Sequence, residues 1–242
     1  MNYTASVSDY FKIPKWAMNT LLAGVCVFIP FVGPIVIKGW LLTGFWGRQD
    51  ERPETFPEFD FNNFGKYLER GLWPFLVTLV SSLVLSLVLC VFIVPLIMLM
   101  TLVLPQGNSA ESSCAGIALF ALTLFVYVIV VVTLMILLTP LTLRASITQE
   151  FGAAFDFAFV KRFLALTWKE TILASLFQLC ASFLLVAAGA LLLCVGMYFA
   201  TVPAYFCWVH LHKQLYRLYL SRGGEPVPLS PKLQDDLAPA PL

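Results

Sequence analysis

Phe59-Asp60-Phe61 and Phe155-Asp156-Phe157 repeat the same three residues at two distant points of the chain. Each is followed by a short run of aromatic and charged residues and then by a long apolar segment, from Leu72 in the first case and Thr171 in the second. The same order of events occurring twice predicts one membrane unit used twice: a short helix at the cytoplasmic surface leading into a spanning helix. In the first copy Asp60 is placed to cap a helix running to about Arg70. Phe61, Phe64, Tyr67 and Leu68 then share one side of the wheel, and Asn62, Asn63, Lys66, Glu69 and Arg70 the other. That pattern predicts an amphipathic helix in the plane of the membrane. In the second copy Phe151, Phe155, Phe159 and Phe163 form a helical stripe, while Phe157, Val160 and Leu164 oppose it. This copy is expected to pack further into the bundle, with Lys161, Arg162, Lys169 and Glu170 clustered towards the next span.

Composition sets the class. Of the 242 residues, 60% are hydrophobic and 12% charged, whereas a soluble globular protein carries roughly twice that charge. At a mean hydropathy of +0.85, the surplus apolar surface has to face lipid. The reading is an all-α integral membrane protein, polytopic, with the lipid bilayer as its first partner. A formal net charge of +1 gives no concentrated basic patch for nucleic acid. The six cysteines form no C-x-x-C pair, and all but Cys114 lie in apolar stretches, so they read as small core hydrophobes. No signal-peptide cleavage pattern follows the first apolar run, and the N-terminus is expected to remain in the mature protein.

The rest of the chain fits a single membrane domain over 16–220 between a cytoplasmic N-terminus, 1–15, and a Pro-rich tail, 221–242. The apolar region 16–46 is interrupted by Pro30 and by Gly33-Pro34. Each arm is shorter than the ~20 residues a spanning helix needs, which predicts a broken or re-entrant first hairpin or a pair of tilted short helices. About four further spans are expected: 72–104 with a kink at Pro95, 115–140, 171–194 and 197–218, with turns at Pro105–Ser113 and near Cys194-Val195-Gly196. The repeat copies run roughly 16–104 and 115–194. The tail, with Gly223-Gly224 and five prolines, predicts extended disorder. Lys and Arg concentrate at Arg48, Arg52, Lys66, Arg70, Arg144, Lys161, Arg162, Lys213, Arg217 and Arg222, whereas the 105–114 and 194–196 turns carry none. That asymmetry puts both termini and both surface elements in the cytoplasm and makes the repeat parallel.

Residues that carry chemistry are few. Lys38 stands alone as a charge deep in an apolar run, Ile35-Val36-Ile37-Lys38-Gly39-Trp40. Such a group marks a functional site by default, against the plainer reading of an ammonium that snorkels to the headgroups. Gln178 is placed to hydrogen-bond a neighbouring helix. Cys207 and His210 share a helical face, but His212 points elsewhere and no fourth ligand is near, so zinc is weakly supported. There is no P-loop, dinucleotide fingerprint or G-x-S-x-G, and the carboxylates lie in loops and surface segments. No enzyme and no cofactor are expected.

Ile29-Pro30-x-x-Gly33-Pro34, Gly39-Trp40 and Phe56-Pro57-Glu58-Phe59 resemble a family of bacterial polytopic membrane proteins, domain of unknown function family 4013. The similarity continues through Phe151–Phe157 and His210–Arg217. It implies architecture, with Pro30, Gly33, Pro34, Gly39, Phe59, Asp60, Phe155 and Asp156 as structural positions, and implies no activity.

Two functional expectations follow. The first is a non-catalytic protein of the bacterial inner membrane that organises or anchors lipids or a partner protein through its cytoplasmic surface helices, with Lys66, Arg70, Lys161 and Arg162 as contacts. The second is a small transporter or channel subunit, self-associated or not, that uses the broken hairpin with Lys38 and Gln178 as its intramembrane polar site.

Overall fold

The computed structural model describes residues 1–103, 110–191 and 195–234, and their regular structure is helical throughout. In order the elements are α1 (Ala5–Ser8), a 3-10 turn (Asp9–Lys12), α2 (Trp16–Val27), α3 (Val32–Trp46), 3-10 turns at Pro53–Thr55 and Phe61–Asn63, α4 (Phe64–Val103), α5 (Ala110–Thr148), α6 (Phe151–Ala154), α7 (Phe157–Ala190), α8 (Gly196–Ser221) and α9 (Pro231–Gln234).

The first apolar region is broken where the prolines and glycine predict. α2 and α3 have 12 and 15 residues, too short to span, and they fold into a hairpin. Phe31 adopts a left-handed φ of 64° at the turn, a conformation costly for a side chain with a Cβ. Gly33 admits the Cys26 carbonyl where a Cβ would collide. Pro34 sits in the first turn of α3, where its missing N–H removes no helical bond. The start of the hairpin is tied to the stretch that precedes α4: Lys15 pairs with Glu58 at 2.8 Å, and the Phe59 N–H donates to Asn19 Oδ1 at 2.9 Å.

Among the described residues, three stretches are long and apolar enough to cross a membrane: Phe61–Pro95, Gly116–Thr148 and Phe157–Ala190. Along them Leu87, Val91, Ile117, Phe120 and Phe183 are 63–70% exposed, an apolar surface that needs a cover other than water. At 40 residues, α4 is about 60 Å long, and the hydrocarbon core is only about 30 Å thick. The remaining length is the packed end of the bundle, where α3, α8, the N-terminal residues, the tail as far as Gln234 and the first turns of α4 and α7 meet.

Four expectations change. The two surface helices do not exist as separate elements: α4 runs unbroken from Phe64 through Leu72, and α7 from Phe157 through Thr171. The shift from amphipathic to wholly apolar sequence marks a change of surroundings along one helix, not a boundary. Second, α8 is a 26-residue helix that falls outside the three apolar stretches, because its His210, His212, Lys213, Gln214 and Arg217 are accommodated by protein and not lipid. Third, the tail does not hang free of the protein over 221–234. Val227 and Leu233 are buried, the Val227 N–H donates to the Tyr216 hydroxyl at 2.8 Å, and the Ser230 N–H to the Ile147 carbonyl at 2.9 Å. Residues 235–242, like Cys194 in the expected turn, lie outside the described residues. Fourth, α5 has begun by Ala110, inside the polar turn expected at Pro105–Ser113, of which 105–109 are outside the described residues.

The core has two main clusters. One joins α2, α3 and the start of α4 to Val202, Phe206 and Val209 of α8. The other joins Leu143 and Ile147 of α5, Phe159 and Phe163 of α7, and Leu211, Leu215 and Tyr219 of α8. Trp46 touches both, so α8 is the axis of the packed end.

Candidate functional site: a buried polar chamber around Lys38

The chamber depends on a close helix crossing. A Cβ on Gly39 would collide with the Tyr67 backbone, and one on Gly71 with the Ile35 carbonyl, so α3 and α4 touch backbone to backbone. Trp40, next to Gly39, locks the crossing from the other side. Its Nε1–H donates to the Pro57 carbonyl at 2.9 Å, and its ring meets Phe56 and Phe59 edge-on, each at 5.6 Å. Phe56 in turn lies over Gly44, where a side chain would not fit. The Gly-Trp pair and the Phe-Pro-Glu-Phe stretch therefore form one structural unit.

On the face of α3 beside this crossing, Lys38 is 4% exposed. Its Nζ donates to Thr78 Oγ1 at 3.0 Å, and the Thr78 hydroxyl in turn donates to the Pro74 carbonyl at 2.6 Å. The ammonium lies 4.8 Å from the Trp208 ring centre and 5.8 Å from that of Phe75, both within cation–π range. No carboxylate pairs with it among the described residues, and Thr78 satisfies one of its three donors. Burial in protein replaces the expected snorkelling.

His212, 5% exposed, packs against Trp208 with ring centres 4.4 Å apart. Together with Lys38, Ser146 and Pro74 they enclose a cavity of about 10 Å³. A second cavity of about 10 Å³ shares Trp208 and His212 and adds Thr139, Ser175 and Gln178. A cavity of that size holds one water. Beyond it, a groove of about 350 Å³ between α7 and α8 shares Met135, Gln178 and Trp208. Lys38 and Gln178 thus stand on opposite sides of one wall, formed by Trp208 and His212. Gln178 donates from Nε2 to Ser182 Oγ at 2.8 Å and to the Ala204 carbonyl at 3.1 Å, and its Oε1 is buried without a partner.

The other expected contacts divide. Arg70, expected on a polar surface, is 4% exposed; its Nη1 donates to Thr43 Oγ1 at 3.0 Å and its Nη2 to the Lys232 carbonyl. Arg162 pairs with Glu225 at 2.5 Å. Both hold the chain's own tail. Lys161 is exposed, and Lys66 is half-buried. Asp60 caps through the Asn62 N–H at 2.9 Å, and Phe59 is buried beside Tyr67 at 5.5 Å. Phe155 packs on Phe151 at 5.2 Å. Asp156 accepts from the Ala158 and Phe159 N–H groups at 3.0 and 3.1 Å and pairs with Arg144 at 2.9 Å. The Phe159 N–H first, and the Arg144 guanidinium after it, hold its carboxyl below the usual carboxylate range.

Sequence reasoning missed Trp208, Thr78 and Ser146, and it set His212 aside as pointing away from Cys207 and His210. A signal was present: Trp208 and His212 lie one helical turn apart, as do Pro74 and Thr78.

Fold and site define an all-helical protein with apolar helices of membrane-crossing length and a buried cationic chamber. The sequence model of the family described as protein of unknown function (DUF4013) matches residues 22–208; the chain belongs to that family. The matched stretch contains the α3–α4 crossing, Lys38, Gln178 and Trp208, and stops before His212. No curated protein and no solved structure matches the chain.

Proposed function

We propose that the protein is a non-catalytic, multi-pass component of the bacterial inner membrane that binds an anionic group at Lys38, in the manner of a small transporter or channel subunit. The observation that carries this is a 4%-exposed ammonium with no carboxylate against it among the described residues. A buried charge is stable only when paired or solvated internally, and an anion would complete the set of partners that Thr78, Trp208 and Phe75 begin. In this reading both termini are cytoplasmic, and α4–α5 is one membrane hairpin. α7 and the apolar first half of α8, Gly196 to Val209, form a second in the same orientation, while His210 to Arg217 stay in the packed cytoplasmic end. The α2–α3 hairpin re-enters the cytoplasmic leaflet. With the membrane starting near Leu72 and Thr171, Thr78 and Gln178 lie at matching depths of roughly 10 Å, at 1.5 Å per residue. A broken hairpin beside a polar site at that depth is a recurrent way to build a solute site.

The anchoring reading has less support, because Arg70 and Arg162 are occupied by the tail and the surface helices are continuous with the long ones. The test is native mass spectrometry of the protein in lipid nanodiscs. The expected result is a retained anionic species that is lost from Lys38→Met and kept by Lys38→Arg. A stoichiometric protein partner with no small ligand, unchanged by Lys38→Met, would favour anchoring instead.

A further inference from the structure

The groove between α7 and α8 is lined by the half-buried Leu179, Val186, Ala204 and Tyr205 and lies along the apolar stretch Phe157–Ala190, so what it faces in a membrane is acyl chain, not water. Its volume of about 350 Å³ falls in the range of ligand pockets, about 300–1,000 Å³, which are mostly apolar with a few placed polar groups. Leu179, Val186 and Ala204 supply the apolar walls, and Ser182 and Thr201 the polar points. The groove ends at Gln178, whose unpartnered Oε1 is buried at the junction with the inner cavities. Trp208 borders all three spaces, from the groove to the Lys38 cavity.

We infer that this groove is the lateral entrance to the Lys38 chamber, and that the ligand is a single-chain amphiphile with a carboxylate head. Its chain lies between α7 and α8, and its head passes Trp208 towards Lys38. The inference rests on the reading of Lys38 as the anion site and adds the class of ligand and its route. Three observations support it. The inner cavities, about 10 Å³ each, have no room for a chain, so the apolar part has to remain in the groove. Trp208 is the wall that has to shift to admit a head group. The free Gln178 acceptor suits a protonated carboxyl, or the water that accompanies a carboxylate, at the halfway point.

The test uses the full-length protein in nanodiscs with a stearate that carries a photoactivatable group on its chain, and maps the labelled residues. Saturable labelling is expected at Ser182, Val186 or Tyr205. Unlabelled stearate should compete about tenfold or more better than stearyl alcohol, the discrimination expected of one charge-assisted hydrogen bond, and acetate should not compete. Lys38→Met should keep the label but lose the preference for acid over alcohol. Ala204→Phe, or Val186→Phe if that variant fails to fold, should lose the label. Alcohol competing as well as stearate in the unsubstituted protein would overturn the proposal, as would a two-chain phospholipid doing so. Competition by acetate would remove the groove and leave Lys38 as an anion site. Non-saturable label spread along the outer faces of α4 and α5 would mean simple partition and would overturn the proposal.

Discussion

Gly39 and Gly71 face each other across the α3–α4 crossing, each in contact with the other helix's backbone. Neither position has room for a methyl group, and the contact sets the height of Lys38 against Thr78. Gly39→Ala and Gly71→Ala should each destabilise the protein by about 1–3 kcal/mol or more through overpacking. The double variant should cost less than the sum, since one displacement of the helices relieves both. Thermal unfolding in detergent checks this; full additivity would mean that the two residues do not share a contact.

Trp40 should tolerate replacement poorly. Trp40→Phe leaves the Pro57 carbonyl without its 2.9 Å donor, a loss of about 1–3 kcal/mol. Trp40→Ala also empties the space between Phe56 and Phe59 and should cost about 3–5 kcal/mol. Denaturation of both variants measures the difference.

Asp156 predicts an acid limb of stability. Its folded carboxyl titrates below the unfolded one, so its contribution is complete above the unfolded value, about 3.9. It is lost as pH falls through the lower folded value. Asp156→Asn should flatten that limb in a melting-temperature profile taken below about pH 4, while Asp156→Ala should also lose about 1 kcal/mol of capping at neutral pH. An unchanged acid limb in Asp156→Asn would assign it to other carboxylates.

The docked tail makes a kinetic prediction. Tyr216→Phe removes the acceptor of the Val227 N–H, and Leu233→Asp puts a charge at a position with 0% exposure. Each should speed amide exchange and proteolysis across 224–234 and leave α8 protected. Equal protection in all three proteins would contradict the docking.

Much of this was legible from residues. The hairpin break at Pro30 and Gly33-Pro34, and the cap at Asp60, are local events set by backbone chemistry, and both survive in the structure. What was illegible depended on neighbours. Arg70 and Arg162 look like surface cations until the tail is known to return to them. The prolines of the tail suggest an unattached chain, yet Tyr216 and Tyr219 supply hydroxyls to its backbone N–H groups at 2.8 and 3.1 Å. His212 ends an apolar run in sequence but faces Lys38 only because α8 is the bundle axis. The seam joining Lys38 to Gln178 draws on α3, α4, α5, α7 and α8, and no single-helix pattern encodes it.

As proposed above, Lys38 is kept for a ligand and not for the fold, and the melting temperatures of the protein and Lys38→Met in nanodiscs, with and without stearate, decide between the two. Thr78 keeps its bond to the Pro74 carbonyl without Lys38, and replacing a buried unpaired charge with an apolar side chain of similar size is neutral or stabilising. Lys38→Met should therefore melt at or above the parent without ligand, and stearate should raise only the parent, saturably. A Lys38→Met protein that melts several degrees lower without ligand, beside a parent indifferent to stearate, would show that Lys38 serves the fold and would contradict the account.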